Sequence, residues 1–206
     1  MSRELDAARA LVKMLEEKEN ESITTENKVQ LSSLNPGDIF TTSFADMVVL
    51  EQREDVAIVI SRGFVKEDVV FDDNSPDFKK SSIEKLLSGE IYEMYEKEFG
   101  SENIVASQVA LTTVDGQEFY GTYDGKIRLL TFDEARRFNN IISREEQDDW
   151  YWTMTPWSAP GRGWDRSLTV VSPSGSIYDG GFSCSCGVRP VCILKSNIFV
   201  SKGENE

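Results

Sequence analysis

The chain has 206 residues, 39% hydrophobic and 28% charged, and its 36 Asp and Glu against 22 Lys and Arg leave a net charge of −14. That size and balance fit one globular domain with appendages and exclude a disordered chain. Histidine is absent, which removes the commonest general base, and no cluster of Lys and Arg is present to neutralise phosphates, which excludes direct nucleic-acid binding.

In chain order, Leu5, Ala8, Val12 and Leu15 recur at helical steps and predict an amphipathic helix over residues 2–18, with Ser2 as its N-cap. The stripe is short for a self-sufficient coiled coil. The helix either packs on its own domain or pairs with another chain, so homo-oligomerisation through it stays open. Residues 19–34 are polar and read as a linker, placing a helix and linker at 1–34 ahead of a domain at 35–200. Asn35-Pro36-Gly37-Asp38 is a turn signal. Strands are expected at residues 39–40, 47–50 and 56–60, with Arg53-Glu54-Asp55 at a hairpin tip. The unbroken apolar run at 56–60 reads as a fully buried strand.

Residues 72–77 form a loop in which Asp73, Ser75 and Asp77 reproduce only a fragment of a calcium loop, without its central Gly or terminal Glu. Ser81 or Ser82 caps a helix bearing Ile83, Leu86 and Leu87, Gly89 lies near its end, and a second helix at 90–99 stops at Gly100. A strand at 109–113, a turn at Asp115-Gly116 and a strand at 127–130 follow. Thr131 with Glu134 three residues on is a capping box, predicting a helix to about residue 142. Strands are expected near 167–171, 176–178 and 191–194, and a disordered polar tail at 201–206. Neither a span of apolar residues long enough for a membrane nor an apolar signal core is present, so a cytoplasmic protein is expected.

Three cysteines, Cys184, Cys186 and Cys192, fall short of a four-ligand zinc site without histidine, and their odd number suits reduced thiols. No metal and no cofactor is expected. Alternation along an extended strand would put Cys184 and Cys186 on one side.

Four motifs in order carry a family resemblance. They are Gly37-Asp38-Ile39-Phe40 with the two apolar runs after it, the stretch 80–89, the stretch 127–135, and Tyr151-Trp152-Thr153-Met154-Thr155-Pro156 leading to Gly187-Val188-Arg189-Pro190. Over residues 35–196 the chain resembles a family of uncharacterised bacterial and phage domains. That family is similar in turn to the C-type-lectin-like fold of formylglycine-generating enzymes and phage variable receptor-binding proteins. The resemblance implies an α+β, C-type-lectin-like domain behind the N-terminal amphipathic helix, in a bacterial host cell. Trp152, Pro156, Gly187, Arg189 and Pro190 are its structural residues. Arg189 reads as a buried, hydrogen-bonded tie between loops, and Pro190 is tolerated at a strand start. Trp150, Trp152 and Trp157 are expected to plug one side of a small sheet. Met154 stands where the family commonly has arginine, so any role of that arginine is in doubt here.

Formylglycine-generating enzymes hold copper with cysteine thiolates, but the three cysteines here lie beside the Gly-Val-Arg-Pro motif and do not map onto a catalytic pair. The Glu-Pro-Asn and Trp-Asn-Asp patterns of calcium-dependent lectins are absent. The best candidate surface is the segment 157–167, in which Trp157, Arg162, Trp164, Asp165 and Arg166 gather residue types enriched at binding hot spots. In phage variable receptor-binding proteins the resembling part carries the ligand surface. The expected function is a non-enzymatic protein-binding module, phage- or mobile-element-encoded, acting through that segment and through Leu5, Val12 and Leu15 of the helix. One alternative is an acidic, anti-CRISPR-like phage inhibitor whose negative face blocks the basic channel of a nucleic-acid-targeting host protein. Another is a thiol- or metal-dependent enzyme.

Overall fold

The structure, a computed structural model, describes residues 28–144 and 147–203. The expected helix at 2–18, with Leu5, Val12 and Leu15, lies outside them. The chain opens with β1 (Lys28–Gln30) and a 3-10 turn, then runs through β2 (Ile39–Thr41), β3 (Asp46–Gln52) and β4 (Val56–Ser61). Strand β5 (Lys66–Val70) leads to α1 (Ser82–Leu86), a π-helical segment at Leu87–Ile91, and α2 (Tyr92–Phe99). Next come β6 (Ile104–Val105), β7 (Ser107–Ala110), β8 (Thr122–Gly125) and β9 (Ile127–Arg128). Helices α3 (Phe132–Arg137) and α4 (Asn139–Ile142) follow. The remainder is strand: β10 (Tyr151–Pro156), β11 (Ser167–Val171), β12 (Ile177–Gly181), β13 (Ser185–Val188), β14 (Val191–Lys195) and β15 (Phe199–Lys202).

The fold is mixed α and β, mostly strand. The larger sheet runs β1-β15-β2-β3-β4-β14-β6, with β9 also on β14; a second runs β12-β11-β10-β13-β5; β7 and β8 form a separate ribbon. Pairing is antiparallel throughout except between β10 and β13, which meet in parallel at Tyr151 and Gly187.

Strand alternation builds two cores from one set of strands. In β4, Ala57 and Val59 enter one apolar cluster while Ile58 and Ile60 enter the other. Strand β3 divides Met47 and Val49 from Val48 and Leu50 in the same way, and β14 divides Cys192 and Leu194 from Val191 and Ile193. The first cluster holds most of the aromatics: Trp152 lies 5.5 Å from Phe71 and donates from Nε1 to the Val69 carbonyl (2.7 Å), fastening β10 to β5.

Several boundaries depart from the expectations. Residues 28–34 are not linker: β1 pairs with β15, Leu31 and Leu34 are buried, and the Gln52 amide donates to the carbonyls of both (2.7 and 2.9 Å). The tail is paired as far as Lys202, opposite Phe40, and Gly203 N donates to Ile39 O (2.9 Å). Backbone pairing at a sheet edge requires no apolar side chain, so polarity misleads there. The two helices expected around Gly89 are one interrupted run, with Gly89 non-helical at its π segment and Gly100 ending it at φ +79°. Strand β7 begins two residues before the expected 109–113 strand and ends at Ala110, β9 is shorter than its apolar run, and β5, β8 and β15 carry no recognisable pattern.

The capping box is present as expected, with Thr131 accepting from Glu134 N and the Glu134 carboxylate accepting from Thr131 N (3.0 Å). The helix breaks at Phe138 before resuming as α4. The same carboxylate takes two hydrogen bonds from Arg128 (2.6 and 2.7 Å), whose side chain is 2% exposed and also donates to Ser107 Oγ (3.0 Å) and Leu129 O (2.9 Å). Burial works to raise the Glu134 pKa, but the Arg128 hydrogen bonds and charge, with help from Thr131, outweigh it and hold the carboxyl below its ordinary 4.5. A depressed carboxyl contributes stability above its unfolded pKa, and loses it as pH falls through the folded value. Glu134→Ala should therefore destabilise by about 3 kcal/mol in urea unfolding at neutral pH, because it leaves a buried guanidinium unpaired. The contribution of the Glu134 carboxylate itself should vanish as the wild type is acidified well below 4.5.

Candidate functional site

The segment 157–167 leaves the second sheet where β10 ends and returns where β11 begins, and Trp157 N donates to Ser167 O (2.8 Å) to close its base. Ser158 and Ala159 are buried and Trp157 is half-buried, whereas residues 160–164 are exposed. Gly161, at φ +80°, lets the chain reverse, and its N–H donates to the Asp165 carboxylate (2.8 Å). Trp164 sits at φ +67° with 66% of its surface exposed. A bulky residue in left-handed backbone costs about 1–3 kcal/mol and persists only where its surroundings fix it. Here Ser167 N donates to Trp164 O (3.2 Å), and Arg166 lays its guanidinium 4.8 Å from the Phe182 ring.

A second loop, between β7 and β8, braces the first. Asp115 accepts from Thr113 Oγ1 (2.5 Å), Ser158 Oγ (3.0 Å) and Arg162 Nε (3.0 Å). Val114 N donates to Pro156 O (3.1 Å), and Tyr120 OH donates to Ser158 O (3.4 Å). The Thr113 hydroxyl, followed by the Ser158 hydroxyl and the Arg162 guanidinium, holds the Asp115 carboxyl below its usual range. Burial, with the charges of Asp77 and Asp165, pushes the Tyr120 phenol up to about 12, so it stays a donor. This loop exposes Phe119, 66% accessible, whose ring lies edge-on to Tyr120 at 5.1 Å. A turn at Asp115-Gly116 is legible in the sequence, but its support of residues some 45 positions later is not; the Asp115–Arg162 contact spans 47 positions.

The expected site residues thus separate by role. Arg162, Trp164 and Arg166 are exposed, Asp165 is a half-buried acceptor for the loop's own backbone, and Trp157 is half-buried at its base. Among the structural residues, Trp152 is core, and Pro156 is buried with its carbonyl taken by Val114. Gly187 donates to Trp150 O (2.7 Å), and the Phe64 ring lies 2.7 Å from where its side chain would begin. Arg189, 2% exposed, donates to Ser61 O (3.1 Å) and Ile142 O (3.4 Å) and stacks 4.8 Å from the Tyr151 ring, tying together segments distant in sequence. Pro190 precedes β14 and accepts from Ser61 N (3.1 Å). Of the three tryptophans expected to plug a sheet, only Trp152 is fully buried; Trp150 is half-buried and meets Tyr178 edge-on at 5.1 Å.

Cys184 and Cys186 do not share one side of a strand. Cys184 is exposed in the turn before β13, its N–H on Gly181 O (2.9 Å), while Cys186 is buried within the strand. Burial, then the charge of Asp149, pushes the Cys186 thiol up to about 12, and burial raises Cys192 as well, so both are protonated. Met154 is wholly buried in the first core. A cleft of about 430 Å³ opens between β7 and α3, but its charged residues Asp133, Glu134 and Arg136 are paired with one another or with Arg128. Among the described residues, no three Cys, Asp or Glu side chains are grouped to hold a metal ion, and no helix is long and apolar enough to cross a membrane.

No family model matches the chain, and no curated protein or solved structure shows significant similarity to it. The bracing predicts that Asp115→Ala, which frees Arg162 and Ser158 together, speeds tryptic cleavage after Arg162 several-fold while the thermal midpoint hardly moves.

Proposed function

We propose that the chain is a non-enzymatic protein-binding module of C-type-lectin-like architecture, gripping its partner through the 157–167 segment. The observation that carries this reading is Trp164, held in strained backbone with two thirds of its surface in solvent, 66% exposed. The bonds from Gly161 N to Asp165 and from Arg162 Nε to Asp115 hold the residues just before it. A rigid loop loses little entropy on binding, and an exposed Trp flanked by arginines matches the composition of hot spots. The non-enzymatic reading is supported by protonated, buried thiols at Cys186 and Cys192 and by a chain without histidine. The order of the four motifs supports the architecture, which fall on β2 to β4, α1, β9 with α3, and β10 through β13. On the same resemblance the setting is the cytoplasm of a bacterial host, with the leading helix as a further contact.

The net charge of −14 favours a second reading, an acidic inhibitor occupying the basic channel of a nucleic-acid-targeting protein. Affinity capture from host lysate, followed by titration of the captured protein, separates the two. Trp164→Ala should weaken binding about 30-fold, or about 2 kcal/mol, with folding stability unchanged. That affinity should decline only mildly as salt rises, whereas channel blocking by charge should collapse. Undiminished binding by Trp164→Ala would defeat the loop reading.

A further inference from the structure

Among the described residues, strand β12 ends the second sheet, paired on one side with β11. The pairing register tells which of its backbone groups remain open. Ser172 N donates to Ser176 O (2.8 Å) at the hairpin end, and Phe182 N donates to Arg166 O (3.2 Å) at the other. Antiparallel ladders alternate bonded and non-bonded pairs. The pairs Val170 with Tyr178 and Leu168 with Gly180 therefore fall on the bonded positions. Ile177 and Asp179 fall between them and turn both N–H and C=O outward.

Exposed edges are usually blunted by bulges, proline, lysine or a covering element. The opposite edge, β5, is blunted: its register with β13 shifts, Asp68 adopts φ +52°, and Lys66 is bridged to Glu90 at 2.6 Å. Strand β12 has an unbroken five-residue register with β11 and carries neither proline nor lysine. Its one charged side chain is the exposed Asp179. On the other face Tyr178, 51% exposed, leans on Trp150. The edge also adjoins the candidate loop, since Ser167, where that loop ends, pairs with Gly181.

We propose that β12 accepts an extended basic segment of the partner protein as an added strand. It rests on the protein-binding reading above and names a second contact with its chemistry. The added strand bonds to Ile177 and Asp179, setting an apolar residue opposite Ile177 and a Lys or Arg opposite Asp179, the pairing that cross-strand electrostatics favours. A second copy of this chain is the less suitable occupant, because each copy brings a charge of −14.

The probe is the peptide acetyl-Thr-Val-Thr-Lys-Thr-Val-Thr-amide, added to the full chain while backbone amide exchange is followed by NMR. Its symmetry sets Lys opposite Asp179 and Val opposite Ile177 in either strand direction. At about ten times the dissociation constant, exchange at Ile177 and Asp179 should slow about tenfold. Tyr178 and Gly180, already bonded to β11, should not change, which also reports an intact hairpin. The same peptide with Glu for Lys should bind more weakly, and Asp179→Lys should reverse that preference. The proposal is overturned if millimolar peptide leaves Ile177 and Asp179 unprotected, or if the Glu peptide protects them equally. It is also overturned if they become protected without peptide as protein concentration rises and a dimer sediments. Trp164→Ala should leave peptide binding intact, so failure at the edge and failure at the loop are read apart.

Discussion

Two-sided burial of the central strands is the constraint on which the rest of this fold depends. Strand β4 lies between β3 and β14 and sends alternate side chains into opposite cores. A slip of one residue would exchange the two sets, moving Ile58 and Ile60 into the space shaped for Ala57 and Val59. Each of the Ile and Val side chains contributes about 1.5–3 kcal/mol when fully buried, so register is held by a sum no single turn could match. The second sheet shares both cores, with Trp152 and Met154 of β10 on one side and Tyr151 on the other.

Charge enters this interior only where it is fully engaged. Arg128 sits beside Ser107 and Glu134, joining the strand that enters α3 to the ribbon strand β7. Arg189 takes carbonyls from Ser61 and Ile142 and rests on the Tyr151 ring. A guanidinium suits such places because its planar fork bonds several acceptors at once and its face stacks on aromatics. Both tie elements that the chain visits far apart, and a lysine at either position would satisfy fewer of the same acceptors.

Two of the exposed aromatics, Trp164 and Tyr178, lie on or beside one hairpin. Strand β11 begins where the Trp164 loop ends, and β12 lies beside it as the outermost strand. The loop is stiffened by Asp115, Ser158 and Asp165 rather than by its own packing, leaving aromatic and cationic groups in solvent. Strain at Trp164, an open strand edge and an exposed Tyr178 are each costly or neutral for folding alone. Their shared location is what the proposed contact with a partner protein rests on.

Local pattern alone determined much of this protein. The apolar run of β4, the turn at residues 53–55, the capping box at Thr131 and Glu134, and the strand at 167–171 were legible because each depends on neighbours in sequence. The Trp and Arg content of residues 157–167 likewise marked a candidate surface. What the tertiary structure decided was everything set by distant pairing. Residues 28–30 and 199–202, read as linker and tail or left without a pattern, became strands because they meet each other and β2, and the loop at Asp115 became a brace because it meets Arg162. Cys184 and Cys186 parted company because the strand begins between them, and Trp157 stayed half-buried while Trp152 filled the core. Periodicity records which side chains want to leave water, but which surfaces they meet, and which strand is left without a neighbour, follow from how the whole chain closes on itself.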